Sequence, residues 1–282
     1  MHAQSVAPLP YADADAATLI GIWEESARGL LAAAEQAGPD QWNDPTPCPG
    51  WSVGDVVAHV CSIDRFLLGR TDPEHVPDYE SLPHVQRGLS RITEIPVDLR
   101  RSRSRDEVLA EFGDTITARA AALVAGPQDL TAPTMGVFGK PLPLDTVLRM
   151  RIFDTWVHEQ DVRVAADRPG GLSGPPAWIS AASMVNGAAF VWARRVAAAE
   201  GSAAALIVTG PGLHFDIQVG IVDGRGVIVT EAEPVTTLTL PFPELVALCA
   251  GRVPADSGPA RATITGDLAL GESLVTQLNV SP

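Results

Sequence analysis

The stretch RIFDTWVHEQDVR, residues 151–163, sets Asp154, His158 and Asp161 four and three residues apart. Residues at those steps share one face of a helix, so a single ion can reach both Asp154 and His158. Ile152, Phe153, Trp156, Val157, Val162 and Val164 make the segment apolar on nearly every other side, which points to a buried helix. Polar groups withdrawn from water cost free energy unless they are satisfied. Here they pair with one another, sit on a solvated face, or hold a metal. A second imidazole, His59, lies in GDVVAHVCSIDRF, with Val56, Ile63 and Phe66 on its face. It reads either as a core histidine bonded to a buried acceptor or as a further donor. Two imidazoles and one carboxylate leave the open coordination position that catalytic zinc requires. The same set suits Fe(II), Mn(II) or Ni(II).

Other candidates carry less. Asp161 either orients the His158 ring from behind or pairs with Arg163 or Arg151. Cys48 sits among prolines ahead of the His59 helix as a conceivable thiol. His75 and His84 fall in a long loop that could border a site, and His214 falls in a strand as a structural residue.

The periodicity supplies the elements that would position these groups. Helices are predicted over 13–38, 53–69, 105–125 and 144–166, with Ser52 and Asp55 forming a capping box ahead of the second. DPTPCPGW (44–51) is a Pro-rich turn, 71–104 reads as irregular and MGVFGKPLP (135–143) as a loop. Four such helices predict an all-α four-helix bundle over residues 1–168, where facing helices direct donors into the core. RPGGLSGPP (168–176) reads as a linker. Beyond it come a helix at 177–199 and strands at 204–210, 213–220, 226–232 and 236–242. A short helix at 243–251, a strand at 260–266 and a last helix near 268–278 follow. This predicts an α+β domain over 169–282 with an antiparallel sheet.

Composition bounds the function. The 282 residues carry a net charge of −14, which argues against nucleic acid as a partner. Three cysteines, Cys48, Cys61 and Cys249, form neither a disulfide framework nor a zinc knuckle. The N-terminal stretch lacks the basic and apolar regions of a signal peptide, and no apolar run is long enough to span a membrane. The expectation is a cytoplasmic, monomeric protein.

WNDPTPCPGWSVGDVVAHV (42–60) together with RIFDTWVHEQDVR resembles the mycothiol-dependent maleylpyruvate isomerase family, a branch of the DinB-like metal-binding bundles. LPFPELVALCAGR and ATITGDLALGESLVTQL resemble that family's smaller, sterol-carrier-like domain. The resemblance implies a divalent metal, usually zinc, held by His59, Asp154 and His158, with Asp154 standing where the characterised isomerases have Glu. It implies mycothiol as thiol cosubstrate and an electrophilic small molecule as substrate. The implied reaction is addition of a metal-activated thiolate, ending in cis–trans isomerisation or thiol S-transfer. It also implies an arginine from the smaller domain near the site, with Arg252 and Arg261 both open. Two other readings stand beside it: a metal-dependent hydrolase using bound water, and a noncatalytic small-molecule or lipid-binding protein.

Overall fold

The computed structural model describes residues 9–281. They form two compact units, one of Asp13–Gly171 and one running from Leu172 onward that also takes in residues 9–12. The N-terminal stretch read for a leader lies partly outside the described residues.

The first unit holds five helices, α1 (Ala16–Ala37), α2 (Val53–Leu67), α3 (Leu89–Arg100), α4 (Arg105–Ala125) and α5 (Leu144–Ala165). Helix α1 packs along α5 and α4, and α2 packs against α4, α3 and α5. The apolar stripes that predict the helices meet in a core of Trp23, Leu30, Phe112, Ile116, Leu148, Ile152 and Trp156, all fully buried or nearly so. Local signals fix the ends. Asp15 caps α1 through the Thr18 amide, and Ser52 and Asp55 form both bonds of the expected capping box. Gly38, at φ 76°, closes α1.

Helix α3 corrects the reading of 71–104 as irregular. Its buried face is Glu94, Val97 and Arg100, two charged residues and one apolar one, and it contains Pro96. A helix held by buried ion pairs shows no apolar stripe, and an interior proline argues against one. The segment read as a loop at 135–143 is the turn of a small hairpin, β1 (Pro133–Met135) paired with β2 (Pro141–Pro143).

The second unit contains α6 (Pro175–Arg194), β3 (Ala203–Gly210), β4 (Leu213–Val222), β5 (Arg225–Val229), β6 (Thr236–Pro241), α7 (Phe242–Cys249), β7 (Thr263–Gly266) and α8 (Leu268–Thr276). The strand order is β5-β4-β3-β6-β7. All pairs are antiparallel except β3 with β6, which run parallel. The sheet is therefore mixed, where an antiparallel one was expected. Side chains alternate with the same period of two in either direction, so alternation cannot reveal that the chain crosses over before β6. Helix α6 covers β4 and β5. It approaches so closely at Gly226 that an added Cβ would lie 1.9 Å from the Ala189 carbonyl oxygen. Among the described residues no helix is long and apolar enough to cross a membrane.

Candidate metal centre

Helix α2 supplies His59 and helix α5 supplies Asp154 and His158. Both helices lie in the first unit. The Nε2 atoms of His59 and His158 each lie 3.7 Å from Asp154 Oδ1, and one ligand atom from each of the three residues falls within 4.8 Å of the other two. A tetrahedral ion with bonds of about 2.1 Å sets its donors about 3.4 Å apart. The two histidine–aspartate separations therefore lie within tenths of an ångström of those a shared divalent cation sets. Both histidines are buried, while the Asp154 side chain is 32% exposed, so the centre opens to solvent on the carboxylate side.

The environment keeps these donors in binding form. Burial pushes the His59 pKa below its ordinary value, which favours the neutral imidazole a metal needs. Burial alone would raise the Asp154 carboxyl. The Arg151 charge, with the nearby His59 and His158 rings adding to it, outweighs it and holds the group far below the usual carboxylate range. His158 Nδ1 is 2.9 Å from Asp161 Oδ2. A carboxylate accepts, so Nδ1 carries the proton and Nε2 presents its lone pair toward Asp154. Of the two arginines near it in sequence, Arg163 bonds Glu159 and Arg151 bonds Asp64 and Asp154.

Three further groups shape the centre without having been singled out from sequence. Trp51, from the Pro-rich turn, packs its ring 4.6 Å from that of His59 and 5.8 Å from that of His158, and the two imidazoles are 5.0 Å apart. Its indole N–H donates to Glu94 of α3 at 2.9 Å. Glu94 is 1% exposed and also holds Arg101 and His84. The third group is a chain of buried charges behind Asp154. Arg151 Nη1 donates to Asp154 Oδ2 at 2.5 Å, its Nε donates to Asp64 Oδ1 at 3.1 Å, and Arg119 Nε lies 3.2 Å from the same Asp64 oxygen. Arg151 stands on the same three- and four-residue stripe as the ligands, which is the signal that could have marked it.

The remaining candidates fall as follows. Cys48 lies within 4.8 Å of both a ring nitrogen of His158 and a carboxylate oxygen of Asp161, behind the ligand ring. His84 is bound to Glu94, His75 to Asp98 at 2.7 Å, and His214 is exposed on β4. Arg252 and Arg261 belong to the second unit, where Arg252 donates to the Ala250 carbonyl and Arg261 to Glu244.

A helical unit that converges two imidazoles and a carboxylate from two of its helices defines a class of metal-capable helical domains. Residues 7–163 match the family described as the mycothiol maleylpyruvate isomerase N-terminal domain, more than half of the chain, and the chain belongs to that family. It is similar in fold to the crystal structure of the mycothiol-dependent maleylpyruvate isomerase, with a TM-score of 0.56 and 13% identity over 90% of this chain and 95% of that one. A histidine-to-alanine mutant of that isomerase gives a TM-score of 0.55 at 12% identity. Two uncharacterized proteins of Mycobacterium tuberculosis, Rv0036c and MT0041, are each 25% identical over 123 residues, 44% of this chain. The match spans 46% of those two proteins, about half their length.

Proposed function

We propose that this chain is a metal-dependent enzyme that uses a low-molecular-weight thiol, mycothiol, against an electrophilic small molecule, by isomerisation or by S-transfer. The observation that carries the reading is the convergence of His59, Asp154 and His158 around a shared point in a family of thiol-dependent isomerases. His59 Nε2, His158 Nε2 and Asp154 Oδ1 would hold the cation. When bound, it supplies a Lewis-acid position that favours the thiolate form of a thiol over the neutral thiol.

The protein's own groups prepare that position. Asp161 fixes the His158 tautomer and ring angle through Nδ1–H. Trp51 closes the side of the imidazole pair it packs on, leaving the approach past Asp154 for reactants. Glu94 locks Trp51 by accepting its indole N–H. Zinc is favoured by two imidazoles and one carboxylate, though the donor set admits other first-row ions.

Metal analysis and turnover test the reading together. Purified protein should hold about one divalent ion per chain, and His158→Ala should lose most of it while keeping its helical circular dichroism. Turnover of an unsaturated diacid should require added mycothiol. Equal turnover without thiol rules out the thiol mechanism and favours activation of water by the same centre. Full metal occupancy in His158→Ala removes His158 from the ligand set.

A further inference from the structure

Leading inward from Asp154 is a row of four charges, three of them buried, that the metal reading does not itself explain. Arg119, Asp64, Arg151 and Asp154 follow one another at contact distance. Asp64 is wholly buried, Arg151 is 1% exposed and Arg119 4%. Buried charges are tolerated when paired, and two cations alternate here with two anions, so the row sums to zero. Arg151 also donates to Thr155 Oγ1 and to the Val60 carbonyl of α2 at 3.4 Å each. Its guanidinium thus bridges the two helices that carry the ligands. Asp154 Oδ2 is bonded to it.

We infer that Arg151 is a positioning residue that sets both the denticity and the charge of the centre. It occupies Asp154 Oδ2, so that Oδ1 alone faces His59 and His158, and it neutralises the carboxylate that would otherwise offset the metal. The inference rests on the reading of those three residues as metal ligands. Counting Asp154 alone gives a loaded zinc centre a charge near +1. Counting the whole row raises it by one unit, to near +2 before the Asp161 carboxylate beside His158 is added. Arg151 therefore trades metal affinity for a centre that draws anionic ligands more strongly at its open position.

A residue that only fills buried space would affect folding but would not tighten metal binding, and this separates the two roles. Full-length protein is stripped with chelator and titrated with Zn2+ against a chromophoric competitor at neutral pH, with circular dichroism reporting the fold. Arg151→Met should bind Zn2+ at least about tenfold more tightly than wild type, because a unit charge one hydrogen bond from a ligand acts through an effective dielectric of only about 20. Arg151→Lys, which keeps the charge, should track wild type. Equal or weaker binding by a folded Arg151→Met overturns the inference while leaving the ligand assignment standing. Failure of the wild type to bind Zn2+ overturns the ligand assignment and this inference with it. If Arg151→Met does not fold, Asp64→Asn decides, since it is nearly isosteric and leaves Arg151 to bear on Asp154 alone. It should weaken Zn2+ binding by about threefold or more, and unchanged or tighter binding overturns the inference.

Discussion

Asp161 shows how one carboxylate gains a role from its position. Three residues beyond His158 on the same face, it is 3% exposed and accepts from Nδ1 at 2.9 Å. The bond selects the tautomer, aims Nε2 at Asp154 and increases the basicity of the ring. Partners of this kind are typically worth about 10- to 100-fold in metal affinity. Asp161→Ala should therefore weaken Zn2+ binding by roughly that factor, with the helical content unchanged. A chelator-competition titration decides it, and an affinity equal to wild type would leave Asp161 as a merely structural acid. Cys48 is close to both His158 and Asp161, its Sγ within 4.8 Å of a ring nitrogen of the one and a carboxylate oxygen of the other. A cavity opened by the alanine would be filled from there, so the full effect is best compared with Asp161→Asn, which retains an acceptor.

The Pro-rich turn acts as an element in its own right, tied at both ends before α2 begins. Thr46 accepts from the Cys48 amide and its hydroxyl donates to the Trp51 carbonyl at 2.8 Å, while the Gly54 amide donates to Trp42. Gly50 sits at φ 81°, a left-handed conformation that disfavours any side chain. A Cβ there would also lie 2.2 Å from Cγ of the His84 ring. Gly50→Ala should therefore cost about 1–3 kcal/mol in urea unfolding and displace His84 from Glu94, loosening Trp51 and the imidazoles behind it. A fall in stability with no change in Zn2+ affinity would show that the turn supports the fold without tuning the centre. The elements also show what was legible in the sequence. Asp154 and His158 could be set on one face because they lie four apart in a long helix with an apolar stripe, whereas His59 lies on another helix and was joined to them by the family resemblance. Trp51 could not be placed, because its partner Glu94 is in α3, which buries charges and contains Pro96 and so shows none of the usual signs of a helix. The parallel β3–β6 pair was hidden for a similar reason: strand direction depends on a crossover that alternation does not encode. Arg151 fell between these cases, since its stripe was visible and its buried partners Asp64 and Arg119 were not.

At the scale of the molecule, the chain is strongly acidic, with a net charge of −14, yet many of its acids are committed to internal arginines. The first unit relies on one such cluster where α3 and α4 meet. Arg100 is 3% exposed, donates through Nη1 and Nη2 to Asp72 at 2.7 and 2.9 Å, and reaches Glu111 through Nε at 2.9 Å. Burial alone would raise the Asp72 and Glu111 carboxyls. The Arg100 hydrogen bonds and charge more than offset it, so both groups titrate below their ordinary values. An acid whose folded pKa is depressed adds stability above its unfolded pKa, near 4 for these groups, and that stability is lost as pH falls through the folded value. Glu159 acts in the opposite sense, since burial raises its pKa and acid relieves its charge, but it is one group against these two and Asp154, which is also depressed. The melting temperature should thus be level near neutrality and fall increasingly below about pH 5. Arg100→Met should lower stability at neutral pH by about 1–3 kcal/mol, because it removes the buried cation that Asp72 and Glu111 share, while Arg65 still pairs with both acids and Arg103 with Glu111. It should also flatten the acid limb, since Asp72 and Glu111 would then no longer be depressed by it. Metal-free protein is the sample to use, so that release of an ion from the centre does not add to the curve. Thermal melts of wild type and variant between pH 7 and pH 4 decide it: converging curves mean that the Arg100 cluster drives the acid sensitivity, and parallel ones place it elsewhere in the molecule.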